Sequence, residues 1–229
     1  MSGGAGLRPN TGFTPGYFAL RAIGRAFFRA LYRVRVEGAE HIPTSGGYIV
    51  SLNHTHAFDP PLVGTIVPVQ MMYMAKRELF RTAPLAAVLR GVGAIPITRG
   101  EPDRQAMKSC IEALRAGYPL SVFPEGTRRL DARGRPRGGA GFLALHAGVP
   151  VLPGAILAPY RVGRPLWVRF GPPIDCAALV ERDGSGHDRL ERLSAYIMRE
   201  IERIHAELVR DHGDDRPASR TARRVEGAR

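Results

Sequence analysis

The sequence predicts an α/β fold in which a mainly parallel central sheet is flanked by helices, with an amphipathic helix at the N-terminus. Short apolar runs alternate with longer segments whose apolar residues recur every three to four positions, a pattern typical of parallel sheets covered on both faces. A chain of 229 residues can bury a full core within one domain. The apolar content of 44% is ordinary for a globular protein.

Three regions differ in composition. Residues 1–32 are predicted to be a flexible leader followed by an amphipathic helix, and residues 33–212 carry the alternating pattern of one folded domain. Residues 213–229 lack apolar periodicity and are predicted to be a disordered basic tail. The leader lacks the charged-then-apolar order of a signal peptide, so no secretion is expected.

The helix predicted over 17–32 has a basic ridge beside an aromatic and aliphatic face. Its ridge consists of arginines spaced four residues apart, namely Arg21, Arg25, Arg29 and Arg33. Such a helix suits an anionic leaflet, where apolar side chains enter the acyl boundary and each nearby cation adds about 1 kcal/mol. An ordinary amphipathic helix packed on the domain is the alternative. No membrane span is predicted, because the longest mostly apolar stretch, 61–75, is shorter than the roughly 20 residues that a span needs.

The remaining elements follow from periodicity and from the positions of proline and glycine. The predicted strands are 33–37, 47–52, 71–74, 93–97, 120–123, 151–157 and 167–170. A helix begins at Asp59, with that aspartate as N-cap and Pro60 at the first helical position. Further helices are predicted over 77–89 with a bend at Pro84, 103–116, 140–147 and 189–208.

The charge of the chain narrows the possible partners. A formal net charge of +12, nearly all from arginine, implies an anionic partner such as nucleic acid, an anionic membrane surface or a phosphorylated substrate. Because no helix-turn-helix, zinc-finger or ribonucleoprotein-type pattern is visible, we rank membrane and substrate above nucleic acid and expect no nucleic-acid partner. Cys110 and Cys176 lie far apart and suggest buried apolar positions rather than a metal site or a disulfide.

A histidine and an aspartate follow the apolar run 48–52. His54 and Asp59 are close enough in sequence for a carboxylate to fix the tautomer of an imidazole and to stabilise its charged form. The pair is a candidate dyad for activating a hydroxyl group. His56 is an alternative base, because a different turn could bring its ring to the carboxylate. Asp59 can serve both as helix cap and as partner of the histidine, since a carboxylate has two oxygens.

Two later segments place arginine and glycine at the ends of apolar runs. Arg99 and Gly100 follow the strand predicted over 93–97, and Gly126 and Arg128 follow the strand predicted over 120–123. A guanidinium can make two parallel bonds to a phosphate, and glycine lets the backbone approach a ligand. Both segments are candidate anion-holding loops, and a strand-terminating turn with solvated arginines is the alternative interpretation of the second.

Four blocks in this order resemble the glycerolipid acyltransferases. The blocks are His-x4-Asp at 54–59, Ile-Pro-Ile-x-Arg at 95–99, Phe-Pro-Glu-Gly-Thr-Arg at 123–128 and Val-Pro-Val-Leu-Pro at 149–153. Together they cover roughly residues 45 to 155, and within that superfamily they are most similar to 1-acylglycerol-3-phosphate acyltransferases. The resemblance selects His54 over His56 as the base, with Asp59 as its partner, and makes 33–212 an acyltransferase domain.

The resemblance also implies substrate contacts. Arg99, Gly126, Thr127 and Arg128 would hold the acceptor phosphate, whereas Glu125 would repel an anion and more readily orients an arginine or the glycerol hydroxyl. Many relatives carry a Phe-Lys-x-Gly-like pattern further on. The corresponding segment, 136–139, has arginine for lysine and no aromatic, so Arg137 is the residue that would contact a phosphate of the acyl carrier.

The implied activity is transfer of a fatty acyl group to the free hydroxyl of 1-acylglycerol 3-phosphate, which gives phosphatidic acid. The donor would be acyl-CoA or acyl-carrier protein, and no bound cofactor or metal is expected. The implied partners are the lysophospholipid, the acyl thioester and an anionic membrane surface, with the protein peripheral on the cytoplasmic face of the cell membrane. An acyltransferase on another lipid or glycolipid is one alternative, and a non-catalytic basic module that binds membrane or nucleic acid is another.

Overall fold

The protein is described by a computed structural model that covers residues 14–98, 103–123, 139–182 and 189–213. Within these ranges the strands are β1 (Arg33–Glu37), β2 (Ile49–Leu52), β3 (Met72–Lys76), β4 (Ala94–Ile97), β5 (Leu120–Ser121), β6 (Val151–Leu157) and β7 (Pro165–Phe170). The helices are α1 (Pro15–Leu31), α2 (Asp59–Ile66), α3 (Ala83–Gly91), α4 (Arg104–Arg115), α5 (Gly139–Ala147), α6 (Cys176–Arg182) and α7 (Arg189–His212). Two short 3-10 helices, Ala39–His41 and Arg77–Phe80, join them.

The strands form one sheet in the order β1-β7-β6-β2-β5-β3-β4. Neighbours pair in parallel except β6 and β7, which are antiparallel. The predicted mainly parallel α/β sheet is therefore confirmed. Because β2, β3, β4, β5 and β6 run in one direction, their carboxyl ends meet at one edge, where sites gather in open α/β sheets.

Apolar side chains cover both faces of the sheet. On one face, α4, α5 and the first half of α7 pack around residues such as Ile49, Leu120 and Val151. On the other face, α1 and α2 pack around residues such as Val50 and Leu52. All four residues of β2 are buried, which agrees with its prediction as a strand covered on both sides.

The helix predicted over 77–89 is wrong as a single bent element. A 3-10 helix ends at Phe80, and α3 starts anew at Ala83 with Pro84 in its first turn. Proline fits the first turn of a helix because the N–H it lacks would be unpaired there, whereas in a helix interior it removes a hydrogen bond. Pro84 therefore starts a helix rather than bending one.

The outermost strand β4 contains Pro96. Gly93 accepts a hydrogen bond from the Tyr73 backbone N–H, so the alternation of the strand turns the Pro96 nitrogen away from β3. A proline without its N–H is tolerated at such an outer edge.

Helix α1 packs on α2 and supplies part of the core. Thr14 caps it by accepting a hydrogen bond from the Tyr17 backbone N–H, and Tyr17 and Phe28 are buried. Arg21, the first arginine of the predicted basic ridge, is engaged within the fold, because its guanidinium donates to the backbone carbonyls of Gly64 and Val67 at the end of α2. Across the described part of the chain, we find no helix with the length and hydrophobicity of a membrane span.

Candidate active site

The site lies at the carboxyl edge of the parallel strands. His54 follows β2, Phe123 follows β5 and Tyr160 follows β6, and these three strands are neighbours in the sheet. The ring of Phe123 stacks on the ring of His54, with centroids 4.4 Å apart and planes inclined by 28°. The strand order therefore brings together side chains that lie far apart in sequence, such as those of Asp59 and Tyr160, which are 101 residues apart.

Asn53 joins the base of the site to the sheet. Its side-chain amide donates to the Ile156 carbonyl over 3.0 Å, and its side-chain oxygen accepts from the Ile156 N–H over 2.7 Å. These two bonds extend the β2–β6 pairing beyond Leu52. Asn53 is thereby held against β6, and the turn that carries His54 begins directly after it.

Asp59 accepts hydrogen bonds from four donors. Its Oδ2 lies 3.0 Å from His54 Nδ1 and 2.7 Å from each of the backbone nitrogens of Thr55 and His56. Its Oδ1 accepts the Tyr160 hydroxyl at 2.5 Å. The side chain is fully buried, whereas that of His54 keeps 32% of its surface exposed.

The prediction that Asp59 is an N-cap is wrong. The residue is the first of α2, Phe58 holds the cap position, and no side-chain cap bond is formed there. The carboxylate instead folds back over the preceding turn, because the N–H groups of Thr55 and His56 and the ring of His54 all converge on it. Both of its oxygens are thus engaged away from the helix.

This geometry fixes the tautomer of His54. A carboxylate that receives two N–H groups and a hydroxyl acts as an acceptor, so the proton of the short contact to His54 belongs to Nδ1. In the neutral ring, Nε2 then carries a lone pair. Since the ring is partly exposed, this nitrogen can accept a proton from a hydroxyl group placed beside it.

Hydrogen bonding keeps Asp59 ionised. Burial acts to raise the pKa of this carboxyl, but the bonds from His54, Tyr160 and the backbone of His56 and Thr55 outweigh burial and hold the pKa below its usual value. Burial, aided by the bond to Asp59, raises the pKa of the Tyr160 hydroxyl well above its usual value. The hydroxyl therefore remains a donor and the carboxylate an acceptor.

His56 does not take the place of His54. Its ring Nδ1 accepts the Phe58 backbone N–H at 3.2 Å, and the ring stacks on Tyr160 with centroids 4.4 Å apart. Only its backbone N–H reaches Asp59. Of the two histidines considered, the ring that meets the carboxylate is that of His54.

A second cluster orders the carboxyl end of β4. The Asp103 carboxylate accepts the Thr98 backbone N–H at 3.0 Å and caps α4 by accepting the Ala106 N–H at 2.9 Å. Arg77 donates to the Thr98 hydroxyl and to Asp103. Thr98 is the last described residue before Arg99, and β4 is three strand positions from β2, or about 14 Å across the sheet.

The predicted substrate contacts cannot be placed with the dyad. The residues concerned lie outside the described ranges; they are Arg99, Glu125, Gly126, Thr127, Arg128 and Arg137. As for metals, the described ranges hold no group of three or more His, Cys, Asp or Glu side chains arranged to bind one.

Tyr160 is the member of the site that the sequence did not suggest. It lies 101 residues after Asp59, and no local spacing links the two. The available signal was weak, namely an aromatic residue shortly after a buried strand whose carboxyl end points to the site edge.

Comparisons with known proteins point to one family. The family model described as Acyltransferase matches residues 33–157, which is more than half of the chain. A 1-acyl-sn-glycerol-3-phosphate acyltransferase of Bacillus subtilis (strain 168) is 32% identical over 55% of this chain and 63% of its own length. The enzyme of the same name from Streptococcus pneumoniae is 29% identical over 74% of this chain and 65% of its own length.

Two further comparisons extend the likeness. The alpha form of 1-acyl-sn-glycerol-3-phosphate acyltransferase from Homo sapiens is 31% identical over 75% of this chain and 66% of its own length. The crystal structure of the 1-acyl-sn-glycerophosphate (LPA) acyltransferase PlsC from Thermotoga maritima is similar with a TM-score of 0.61 and 27% identity. That match covers 82% of this chain and 78% of the other. The chain spans just under two thirds of the length of the first two relatives.

Proposed function

This protein belongs to the acyltransferase family, and on that premise we propose that it acylates the free hydroxyl of 1-acylglycerol 3-phosphate to give phosphatidic acid. The relatives named above support the acceptor, since each is named for acylation of this lysophospholipid. The observation that carries the proposal is the buried Asp59 carboxylate bonded to Nδ1 of the partly exposed His54. That arrangement activates a hydroxyl without an enzyme nucleophile.

In the proposed reaction, His54 Nε2 removes the proton of the acceptor hydroxyl as its oxygen attacks the thioester carbonyl. A C–O bond forms, the tetrahedral intermediate collapses, the C–S bond breaks, and the imidazolium returns the proton to the departing thiolate. Asp59 keeps the ring in the required tautomer and stabilises the imidazolium. The products are the ester and a free thiol, with no covalent enzyme intermediate.

The donor in this proposal is acyl-CoA or acyl-carrier protein, and no bound cofactor takes part. We assign the acceptor phosphate to Arg99 and to the segment containing Gly126, Thr127 and Arg128. In the same proposal Glu125 orients an arginine or the glycerol hydroxyl, and Arg137 contacts a phosphate of the carrier. Support comes from Thr98 and Phe123, the described residues just before these segments, which lie at the same sheet edge as His54.

We also propose that the enzyme is peripheral on the cytoplasmic face of the membrane and that α1 lies on the lipid surface. Phe18 and Ile23 on this helix are 59% and 66% exposed, and Arg25 and Arg29 are exposed as well. At its other end, Phe27 packs edge-on against Phe58, with ring centroids 5.6 Å apart. Phe58 belongs to the turn 53–58 between β2 and α2, which we call the catalytic turn. The contact places the turn beside the helix that would meet the lipid.

The proposal is tested by measuring acyl transfer from labelled acyl-CoA and acyl-carrier protein to a panel of lysolipids, with product identification by mass spectrometry. His54→Ala should lose about a hundred- to ten-thousand-fold in rate because it removes the general base. Circular dichroism should be unchanged, since the ring is partly exposed. The exposed His146 on α5 provides the matched control, and His146→Ala should retain the rate of the wild type.

Two variants refine the assignment. His56→Ala should lose far less activity than His54→Ala, because the His56 ring does not meet the carboxylate. Arg99→Ala should raise KM for 1-acylglycerol 3-phosphate more than KM for the thioester.

Two outcomes would contradict the proposal. Equal activity of His54→Ala and wild type would overturn the catalytic assignment, and transfer only to phosphate-free lysolipids would overturn the assignment of the acceptor.

A further inference from the structure

Tyr160 has an unusual backbone for its residue type. It is the one non-glycine residue in the described ranges with a positive φ, at 41°, in the left-handed region that side chains with a Cβ seldom adopt. Such strain persists only where surrounding contacts hold the residue in place. In the short connection between β6 and β7, the contacts of the Tyr160 side chain must therefore hold its backbone in this conformation.

The ring of Tyr160 is held on several sides. It stacks on His56 with the planes inclined by 25°, and it meets the rings of Tyr32 and Phe58 edge-on at 5.9 and 6.0 Å. Its hydroxyl donates to Asp59 Oδ1 over 2.5 Å. The aromatic contacts thereby fix the hydroxyl against the one oxygen of Asp59 that the catalytic turn leaves unbonded.

From this geometry we infer that Tyr160 is a positioning residue of the reaction, which acts through Asp59 on the orientation and basicity of His54. The inference rests on the proposed function of the dyad. Oδ2 is fixed by three donors of the turn, and Oδ1 is fixed by Tyr160, so the carboxylate plane is set from two sides. The plane in turn sets the direction in which His54 points.

The hydroxyl also draws electron density from the carboxylate. A carboxylate that shares its charge with a strong donor holds the imidazolium less tightly, so Tyr160 makes His54 release its proton more readily after the attack. Removing the hydroxyl should have two effects. The carboxylate gains freedom, which lowers kcat, and it holds the imidazolium more strongly, which moves the acid limb of the pH profile to higher pH.

The decisive variant is Tyr160→Phe, with Tyr32→Phe as the matched control because it deletes a hydroxyl from a neighbouring ring of the same cluster. We expect kcat of Tyr160→Phe to fall by about 10-fold, with KM changed by less than about twofold. The acid limb of kcat/KM should move to higher pH. Tyr32→Phe should match the wild type in all three respects.

Site-specific 3-fluorotyrosine at position 160 is a second variant that keeps the ring and strengthens the donor. It should move the acid limb in the opposite direction, to lower pH. A readout that needs no activity is the Nδ1–H proton resonance of His54, observed by NMR in the full chain. This resonance should shift in Tyr160→Phe and in the fluorinated protein, but not in Tyr32→Phe.

The outcomes separate the inference from the function on which it rests. A shifted resonance in a protein that acylates no lysolipid would refute the proposed acyl transfer, and would leave intact only the coupling of Tyr160 to His54 through Asp59. The inference would be overturned if the enzyme were active but the acid limb of kcat/KM and the His54 resonance were the same in wild type, Tyr160→Phe and the fluorinated protein. If Tyr160→Phe lost thermal stability while the acid limb of its pH profile and the His54 resonance stayed unchanged, Tyr160 would have only a structural role. That result would also overturn the inference.

Discussion

At the scale of single residues, the central feature is a carboxylate that is buried and yet ionised. Burying an isolated charge is unfavourable, and Asp59 tolerates burial because four donors surround it. The same donors hold its pKa below the usual value, against the effect of burial. Its negative charge is therefore part of the folded state before any substrate arrives.

The lowered pKa of Asp59 predicts a dependence of stability on pH. A group whose pKa is lower in the folded than in the unfolded chain stabilises the fold above the unfolded pKa, which for Asp is about 3.9, and this stabilisation is lost as pH falls further. We expect Asp59→Asn to lower the free energy of unfolding by about 1–3 kcal/mol at pH 7. Urea unfolding at pH 7, 5 and 3 should show this difference shrinking below about pH 4.

A difference between wild type and Asp59→Asn that stays constant from pH 7 to pH 3 would contradict the linkage. The proposed acylation of a lysophospholipid supplies an independent check. Because the neutral amide of Asp59→Asn cannot stabilise an imidazolium, the acylation rate of this variant should fall together with that of His54→Ala.

The dyad could be predicted from sequence because its two members lie within one turn. A histidine and an aspartate with this spacing need only a short turn to meet, and their side chains do meet, although Asp59 does not cap the helix as expected. The bond of Tyr160 to Asp59 and the stacking of Phe123 on His54 could not be predicted in the same way, because both contacts depend on the order of strands in the sheet. Strand order is a property of packing across the whole domain, and local residue patterns do not contain it.

At the scale of elements, α1 serves two roles on opposite sides. One side carries Tyr17 and Phe28 into the core and Arg21 onto the carbonyls of α2. The other side exposes Phe18 and Ile23. Deleting the helix would open the core, so the proposed contact of α1 with lipid is better tested with surface substitutions.

We expect the double variant Phe18→Ser and Ile23→Ser to bind anionic vesicles at least about tenfold more weakly, because both side chains would lose their burial in the acyl boundary. Sedimentation with vesicles measures the binding. Thermal unfolding should be unchanged, since neither side chain contributes to the core. The control is Val36→Thr, which replaces one exposed apolar side chain on β1. Equal sedimentation of the double variant and the wild type would refute the proposed lipid role of α1.

The elements that the sequence predicted best are those with strong local patterns. The buried runs of β2 and β6 and the amphipathic period of α4 and α7 could be recognised directly. The break before Pro84 was missed because a proline in the first turn and a proline that bends a helix look alike in sequence. The antiparallel direction of β7 depends on its partner β6 and was not predictable from its own residues.

At the scale of the whole molecule, the net charge of +12 predicts that the proposed membrane binding depends on salt. Attraction between exposed arginines and anionic lipid is screened over about 10 Å at 0.1 M salt and over about 3 Å at 1 M. Binding to anionic vesicles should therefore fall steeply as salt rises through this range. Neutral vesicles should bind weakly at every salt concentration, and equal sedimentation with both vesicle types would contradict an electrostatic contribution.

The two outer strands of the sheet have a consequence for self-association. An exposed strand offers unpaired N–H and C=O groups to another chain and can seed polymerisation from edge to edge. Here one outer strand, β4, turns the nitrogen of Pro96 outward, and the other, β1, exposes Arg33 and Arg35. On the membrane surface proposed above, copies of the protein would reach a high local density in two dimensions. With a missing donor at one edge and like charges at the other, neighbouring copies can crowd together without joining their sheets.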